Sequence, residues 1–501
     1  METLKQSLDE SYVIRALLKH NYLPAHKLDL SELPPTFTSK DFGEKTAFEL
    51  AESEGRGQNC GYDCISYLST RFNNVPRTLS IPHPVAYSRL SLCIKENWES
   101  IKWICDNKNS FIHPRIHPDG RMFTMEYGNG PKQKLKNLRS AFGKRFAVHA
   151  DVSNCYPSIY THSFPWAAIG RNAAKNRRSP KEWFNLLDKH MRGVNRCETK
   201  GICIGPATSS IIAEFILGKV DEALRNEFAH LRFVDDFRAF CETEDEALRF
   251  IRRLSEELIN FRLELNARKT LIHPLPCAHT QEWVQKLSLW APKRETLTVY
   301  DITNYLDLAL SMSEREPDGS VLKYALKTIR DKKMKDDALF ALASFALNLS
   351  YHNPVLVPLL DKIFDRILKQ GYKFVYNDSV LELIARFSED RCSDGLSWAL
   401  YYAKKHGVVI SGDLARAIVN NRDCLTLAQL RRIGDDDAKR IISEFIQHLI
   451  GGIVDEVDKY ELDQFWILLY DAFLDGEIDN PYQSETAFEI LSKANVRFIK
   501  L

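Results

Sequence analysis

Between Leu231 and Cys241 the chain reads LRFVDDFRAFC, with Leu231, Phe233, Phe237, Ala239 and Cys241 at every second position and Arg232 and Arg238 falling between them. That period predicts a half-buried strand. Asp235 and Asp236 interrupt it. Adjacent aspartates are poor strand formers and good turn formers, so the pattern predicts a tight hairpin with two carboxylates at its tip. A further strand is expected at residues 146–150, ending on Asp151. Helical spacing marks Leu4, Leu8, Val13, Ala16 and Leu17, until Pro24, Pro34 and Pro35 break it. SIPHPVAYSRL from Ser80 is expected to be extended, because each proline biases its predecessor away from helix. SLCIKENWESIKWICDN reads as a helix with Leu92, Trp98, Ile101, Trp103 and Ile104 on or near one face.

Residues 166–200 also read as helical, and Gly205 and Pro206 precede a helix expected at 208–217. EDEALRFIRRLSEELINF predicts an amphipathic helix whose stripe is Leu248, Ile251, Leu254, Leu258 and Phe261, followed by an extended stretch. From Thr303 onward the strand signal vanishes. Segments such as PVLVPLLDKIFDRILKQG, with Leu356, Leu359, Leu360, Ile363, Phe364 and Ile367 at helical spacing, alternate with short polar connectors. About ten helices of this size look like a HEAT-like array.

The length of 501 residues suits two or three domains, and 44% hydrophobic with 27% charged residues excludes fibrous and disordered classes. With a net charge of only +1, any polyanion-binding surface must be a local patch. Two candidates stand out. Lys132, Lys134, Lys136, Arg139, Lys144 and Arg145 form an acid-free run just ahead of the 146–150 strand. Arg171, Lys175, Arg177, Arg178, Lys181, Lys189, Arg192, Arg196 and Lys200 outnumber Glu182, Asp188 and Glu198. Such runs are solvated helix faces as readily as nucleic-acid contacts. The start METLKQSLDESY lacks a basic-then-apolar leader, and no apolar run approaches the roughly 20 residues that span a bilayer, so a cytosolic protein without membrane contact is expected. The 11 cysteines are scattered, and Cys60 and Cys64 in CGYDC lack the second half of a zinc site. Reduced, mostly buried thiols are expected.

Two carboxylates held together repel each other and attract a divalent cation, and hard oxygen ligands suit Mg²⁺. With Asp151 beside the hairpin, two metals about 3.5 to 4 Å apart could activate a hydroxyl and stabilise a leaving pyrophosphate.

Asp151 with Tyr156 five positions on, then GICIGPATSS from Gly201, then FVDD at 233–236, resemble motifs A, B and C of the reverse-transcriptase palm in order and spacing. DVSNCYPSIYTHSFPWAAIG is similar to the bacterial abortive-infection polymerases. The resemblance covers residues 80–275 and implies an α+β fold. Reverse-transcriptase-like palm and fingers would occupy 1–290, and an all-α HEAT-like helical domain 291–501, covering the palm, forming a route for product and making subunit contacts.

It also implies site residues. Asp151, Asp235 and Asp236 would be catalytic and hold two Mg²⁺ or Mn²⁺ ions, with the backbone carbonyl after Asp151, that of Val152, as a further ligand. Tyr156 would lie under the sugar and exclude a 2′-hydroxyl; its alternative is an ordinary packed aromatic. Gly205 would let backbone approach the nucleotide, with Pro206 opening the following helix. Asn266, Lys269 and Thr270 resemble motif D, with Lys269 toward pyrophosphate or simply solvated. Arg115 and Arg121 are the fingers candidates for gripping the triphosphate.

Ile204 stands where many reverse transcriptases carry a glutamine before the glycine, and the GIxIGP form resembles abortive-infection polymerases, some of which make DNA without a template and attach the first nucleotide to a protein tyrosine. Tyr12, Tyr22, Tyr62 and Tyr67 are candidate priming residues, and nothing in the sequence chooses among them. The partners implied are deoxynucleoside triphosphates, a single-stranded DNA product carried covalently in the protein-primed form, and further copies of the chain in a homo-oligomer. The setting implied is phage defence in a bacterial cytoplasm. An RNA-templated reverse transcriptase and a catalytically silent nucleic-acid-binding scaffold are the rival readings.

Overall fold

The chain opens with α1 (Glu10–Lys19) and α2 (Glu44–Glu52), then a hairpin of β1 (Cys64–Thr70) and β2 (Pro76–Pro82), followed by α3 (Pro84–Glu96), α4 (Trp98–Ile101) and α5 (Pro131–Ala141). Next come β3 (Phe146–Asp151), α6 (Cys155–Ser158), α7 (Ser163–Ile169), α8 (Arg171–Asn176), α9 (Trp183–Gly193) and α10 (Ala207–Leu224). A second hairpin, β4 (His230–Phe233) and β5 (Asp236–Cys241), leads to α11 (Glu244–Asn260), β6 (Leu271–Pro274) and α12 (Glu282–Trp290). This computed structural model describes residues 8–24, 32–53, 55–56, 61–71, 74–125, 131–278, 280–316, 320–453, 455, 458–482 and 485–500. Leu4, Cys60 and the side chain of Lys132 lie outside the described residues.

Several sequence expectations are corrected. The SIPHP stretch is extended only through Pro82, because Pro84 occupies the first turn of α3, where its missing N–H is no loss and its fixed φ favours helix. The β1–β2 hairpin was not anticipated in that Gly-, Asn- and Pro-rich region. Residues 166–200, read as helical, hold three helices. The helix expected at 208–217 runs to Leu224. On α11 the buried stripe is Ala247, Phe250, Leu254 and Leu258, while Leu248 is exposed.

The carboxylate-bearing sheet has the order β4-β5-β3-β6, with every neighbouring pair antiparallel. Its parity differs from the simple alternation of the sequence. The turn between β4 and β5 is two residues long, so Phe233 pairs with Asp236 and Leu231 with Arg238. Cross-strand partners share a face. Leu231, Phe233, Asp236, Arg238 and Phe240 therefore lie with Ala147, His149 and Asp151 on one face. Arg232 lies with Phe237, Val148 and Ala150 on the other, fully buried against α10 and α11. The apolar residues of LRFVDDFRAFC thus divide between two faces.

Beyond α12, whose last residue is Trp290, the described chain is helical, from Val299–Ser313 to Ala487–Lys493, and Leu356, Leu359, Leu360, Ile363, Phe364 and Ile367 are all fully buried. Sheet-and-helix followed by all-helix is the α+β organisation expected. The helical part packs back on the start of the chain: Thr38 N–H donates to the Phe498 carbonyl, Lys500 N–H to that of Thr36, and one apolar cluster extends from Tyr12 to Ile499. Buried Arg56 binds Asp463 with two hydrogen bonds of 2.7 Å and Glu485 at 3.2 Å. Among the described residues the ten cysteines are free, and no helix is long and apolar enough to cross a membrane.

Candidate active site

Asp151 is the last residue of β3 and pairs directly with Asp236, the first of β5, while Asp235 sits in the two-residue turn. Asp236 is therefore a strand residue, not a turn residue as expected. Its position next to Asp151 follows from sheet register alone. Val152 N–H donates to the Asp235 carbonyl at 3.1 Å, which ties the end of β3 to the turn. The result brings Asp151 to an aspartate pair that lies far along the chain: one carboxylate oxygen from each of Asp151, Asp235 and Asp236 lies within 4.8 Å of the others. Val234, the first residue of the turn, has φ +56°, a region β-branched side chains avoid at a cost of about 1–3 kcal/mol.

The charges in this cluster do not balance. Burial, and after it the Asp151 charge, raises the Asp235 carboxyl above its usual range, against the opposing pull of a backbone hydrogen bond, Arg77 and Lys269. Burial, then Asp235, pushes Asp236 up to about 7. Asp151 is held by Asn266, whose N–H donates to its carbonyl at 2.7 Å and whose amide donates to Oδ2 at 3.3 Å, and Lys269 Nζ lies 3.2 Å from the same Oδ2. Three crowded oxygen donors, with the Asp235 and Asp236 carboxyls raised, form a set that a hard divalent cation would satisfy. Asn266 and Lys269, grouped by the sequence resemblance, thus converge on Asp151.

Beneath the turn lies an ion network that the sequence did not announce. The Arg232 guanidinium, with no exposed surface, donates two hydrogen bonds to Glu214 (2.8 and 3.0 Å) and two to Asp221 Oδ2 (2.9 and 2.8 Å). It also donates to the carbonyl of Val234 at 2.7 Å. Asp221 meets His230 Nε2 at 3.1 Å and accepts from the Asn107 amide at 2.7 Å. Burial alone would raise both acids; Arg232 with His230 brings Asp221 down to about 2, while Glu214 remains above its usual value. The backbone of Arg232 bonds to the carbonyl of Asn109 and the N–H of Phe111, so segment 109–111 covers the edge of β4. Arg232 is a positioning residue: it ties a strained turn to α10.

The remaining candidates fall in several places. Tyr156 is buried on α6, in the main apolar cluster, with its hydroxyl engaged by Ser210 of α10 and its carbonyl accepting from Ile202 N–H. Gly205 has φ +139°, and a Cβ there would meet the Ser80 carbonyl at 3.0 Å and Pro24 at 3.1 Å. In this structure the glycine permits a close approach to the chain's own β2. Pro206 is the N-cap of α10, and the Ile204 carbonyl accepts from Ser80 N–H at 2.7 Å. Cys64 and Cys203, on β1 and this same loop, are 3.2 Å apart at sulfur.

Arg115 and Arg121 lie on a small ladder (Arg115 N–H to Met122 O, His117 N–H to Arg121 O) beside Tyr12, with Arg121 paired to Asp119. A cation that does act on Asp235 is Arg77 of β2, whose Nε is buried without a hydrogen-bond partner. Its signal in the sequence was the alternation of RTLSIP, which places Arg77 on a strand. The four candidate tyrosines are all buried, with hydroxyls donating to the Arg121 carbonyl (Tyr12), the Pro82 carbonyl (Tyr22), Glu485 (Tyr62) and the Glu32 carbonyl (Tyr67).

A hairpin carrying two aspartates, a third aspartate on the adjacent antiparallel strand, and helices packed behind the sheet define a polymerase palm, the frame of a nucleotidyltransferase. Residues 87–288, less than half of the chain, match the model of the family described as reverse transcriptase (RNA-dependent DNA polymerase), and this portion has a reverse-transcriptase-like fold. No curated protein sequence matches the chain. Among solved structures, apo telomerase from Candida tropicalis aligns at 11% identity over 82% of this chain and 70% of that chain, with a TM-score of 0.33. Telomerase from Candida albicans in complex with the TWJ fragment of telomeric RNA aligns at 11% identity over 79% of this chain and 67% of that chain, with a TM-score of 0.30. Likenesses this loose carry no weight for fold or function.

Proposed function

We propose that the chain is a phage-defence DNA polymerase that adds deoxynucleotides without a template and starts from a protein hydroxyl, as its resemblance to abortive-infection polymerases implies. The observation that carries the polymerase part is the convergence of Asp151, Asp235 and Asp236 within 4.8 Å. Two Mg²⁺ or Mn²⁺ ions held by these carboxylates and the Val152 carbonyl would supply the charge that activates the attacking hydroxyl and stabilises the leaving pyrophosphate. Around them Arg77 and Lys269 bind phosphate oxygens, Asn266 fixes Asp151, and Tyr156 packs under the sugar. Residues 1–290 form the polymerase domain, and residues 291–501 a HEAT-like array offering the surface for product and for further copies of the chain. Apolar Ile204, engaged with β2 through its carbonyl, cannot make the polar template-side contact of a glutamine, which favours untemplated synthesis over the RNA-templated reading.

The test is to incubate purified protein with labelled deoxynucleotides and Mg²⁺ or Mn²⁺, without template or primer, and to look for label that survives denaturation on the polypeptide. Label on the protein that resists nuclease pretreatment supports the reading. Synthesis that requires a copurifying RNA and copies its sequence assigns the templated alternative, and no incorporation with either metal leaves only a binding scaffold.

Tyr156→Ala should admit ribonucleotides, narrowing the preference for deoxynucleotides by about tenfold or more. Because Tyr156 is buried, the variant also loses about 3–5 kcal/mol of stability, so the substrate ratio should be read where the protein remains folded. An unchanged ratio removes the sugar-excluding role and leaves Tyr156 a packed aromatic.

A further inference from the structure

The face of the sheet that carries Asp151 and Asp236 is only partly covered. Toward its base Ala147, Leu231 and Phe240 pack against Phe111, Ala141 and Leu275, which seals that end with apolar side chains. Between this plug and the carboxylates lies a pocket of about 420 Å³, walled by Asp236 and Arg238 on β5, His149 on β3, Phe111 and Phe233, and the amides of Gln133, Asn137 and Gln281. The volume is in the range of small-ligand sites, about 300–1,000 Å³.

Two groups in the pocket lack hydrogen-bond partners, although Arg238 feels the Asp236 charge. Arg238 is half-buried and, among the described residues, makes no hydrogen bond and no ion pair, although a buried cation normally has one. Asn137, on α5, is 6% exposed, and its side-chain oxygen has no hydrogen-bond partner. Lys136 lies over the Phe111 ring at 4.8 Å, which adds positive charge at the rim. A guanidinium whose N–H groups have no acceptor calls for an anion. An unsatisfied carbonyl beside two further amides and two aromatic rings calls for a flat ligand with hydrogen-bonding edges. A nucleotide has both.

We infer that this pocket binds a free deoxynucleotide whose 3′-hydroxyl serves as an initiating nucleophile, giving the polymerase a second way to start besides the protein hydroxyl. The inference rests on the polymerase reading for its chemistry, but not for binding. Arg238 takes the phosphate, the amides take the base, and the shared wall at Asp236 places the sugar toward the carboxylates. The O3′ oxygen forms a bond to the α-phosphorus of a second deoxynucleoside triphosphate, the bond from that phosphorus to the bridging oxygen breaks, pyrophosphate leaves, and the hydroxyl proton passes to solvent. The product is a dinucleotide. The blind apolar end and the room for one nucleotide favour a free monomer over the end of a long strand.

The experiment uses the full chain and has two readouts: equilibrium binding of deoxyadenosine 5′-monophosphate in EDTA, and formation of labelled dinucleotide from that monophosphate and labelled dATP with Mg²⁺. The protein should bind without metal, and dinucleotide yield should saturate with monophosphate. Arg238→Leu should weaken both by about tenfold or more. Its Tm should hold or rise, since an unpaired half-buried cation is removed, whereas a structural role for Arg238 predicts a fall. Asn137→Leu should weaken binding, and Lys45→Ala, on the exposed face of α2, should change nothing. Metal-free binding indifferent to Arg238 overturns the site. So does labelling of the polypeptide without any monophosphate-dependent dinucleotide, or an oligonucleotide 3′ end that displaces the monophosphate and is extended in preference to it. If nothing is incorporated by any route, the polymerase reading fails, and the EDTA binding result still decides the pocket.

Discussion

Asp235→Asn is expected to abolish deoxynucleotide incorporation, by at least about 10³-fold, while making the metal-free protein more stable than the parent. The loss follows from the geometry: Asp235 contributes one of three oxygens grouped within 4.8 Å, and a bound cation is worth several kcal/mol of transition-state stabilisation, at about 1.4 kcal/mol per tenfold in rate. The gain in stability follows from the electrostatics. Burial and the neighbouring Asp151 hold Asp235 above its usual carboxyl range, and Asp235 helps push Asp236 up to about 7. A neutral amide of the same shape relieves that repulsion, worth roughly 0.5–2 kcal/mol.

The measurements are incorporation of label and thermal unfolding with and without Mg²⁺. In EDTA the variant should melt above the parent. Added Mg²⁺ should raise the Tm of the parent, because a ligand that binds only the folded state stabilises it, and should do so far less for the variant. Undiminished incorporation, or equal stabilisation of both proteins by Mg²⁺, would remove Asp235 from the metal site.

The carboxylates were legible because strand period and turn chemistry act locally: Asp151 closes a strand, and of the aspartate pair Asp235 sits in the hairpin turn and Asp236 opens the next strand. The roles of Arg232 and Arg238 were not, for a geometric reason. Counting every second residue through LRFVDDFRAFC treats the segment as one strand, but a two-residue turn sets Phe233 opposite Asp236, a shift of three that exchanges the faces. Arg232, which falls between the apolar positions of the sequence, is fully buried under the site, and Arg238 lies on the carboxylate face. The partners of Arg232 lie on α10, where nothing local marks Glu214 and Asp221 as buried. Arg77 was hidden differently, on a strand that begins ahead of Ser80, where the extended reading started. The helices after Trp290 were legible throughout, since their apolar period continues without such a turn.

Arg232 therefore supports the second large prediction. Arg232→Ala leaves Glu214 and Asp221 buried with no guanidinium between them, a change that costs about 3–5 kcal/mol and should leave little folded protein. Arg232→Lys is the informative variant. It keeps the charge but not the planar fork that reaches Glu214, Asp221 and the Val234 carbonyl together. The strained turn then loses its tether, and displacement of a reacting group by even an ångström can cost about 10²-fold. We expect a folded protein with kcat lowered by about 10- to 100-fold and KM for deoxynucleotide little changed, because Arg232 touches the turn and not the substrate.

Val234→Gly in the Arg232→Lys background should restore part of kcat, since glycine adopts φ +56° without strain and the turn no longer needs holding. If Arg232 only stabilised the fold, Arg232→Lys would lower the Tm, leave kcat per folded molecule intact, and gain nothing from the glycine. That outcome would separate the network under the turn from the chemistry above it.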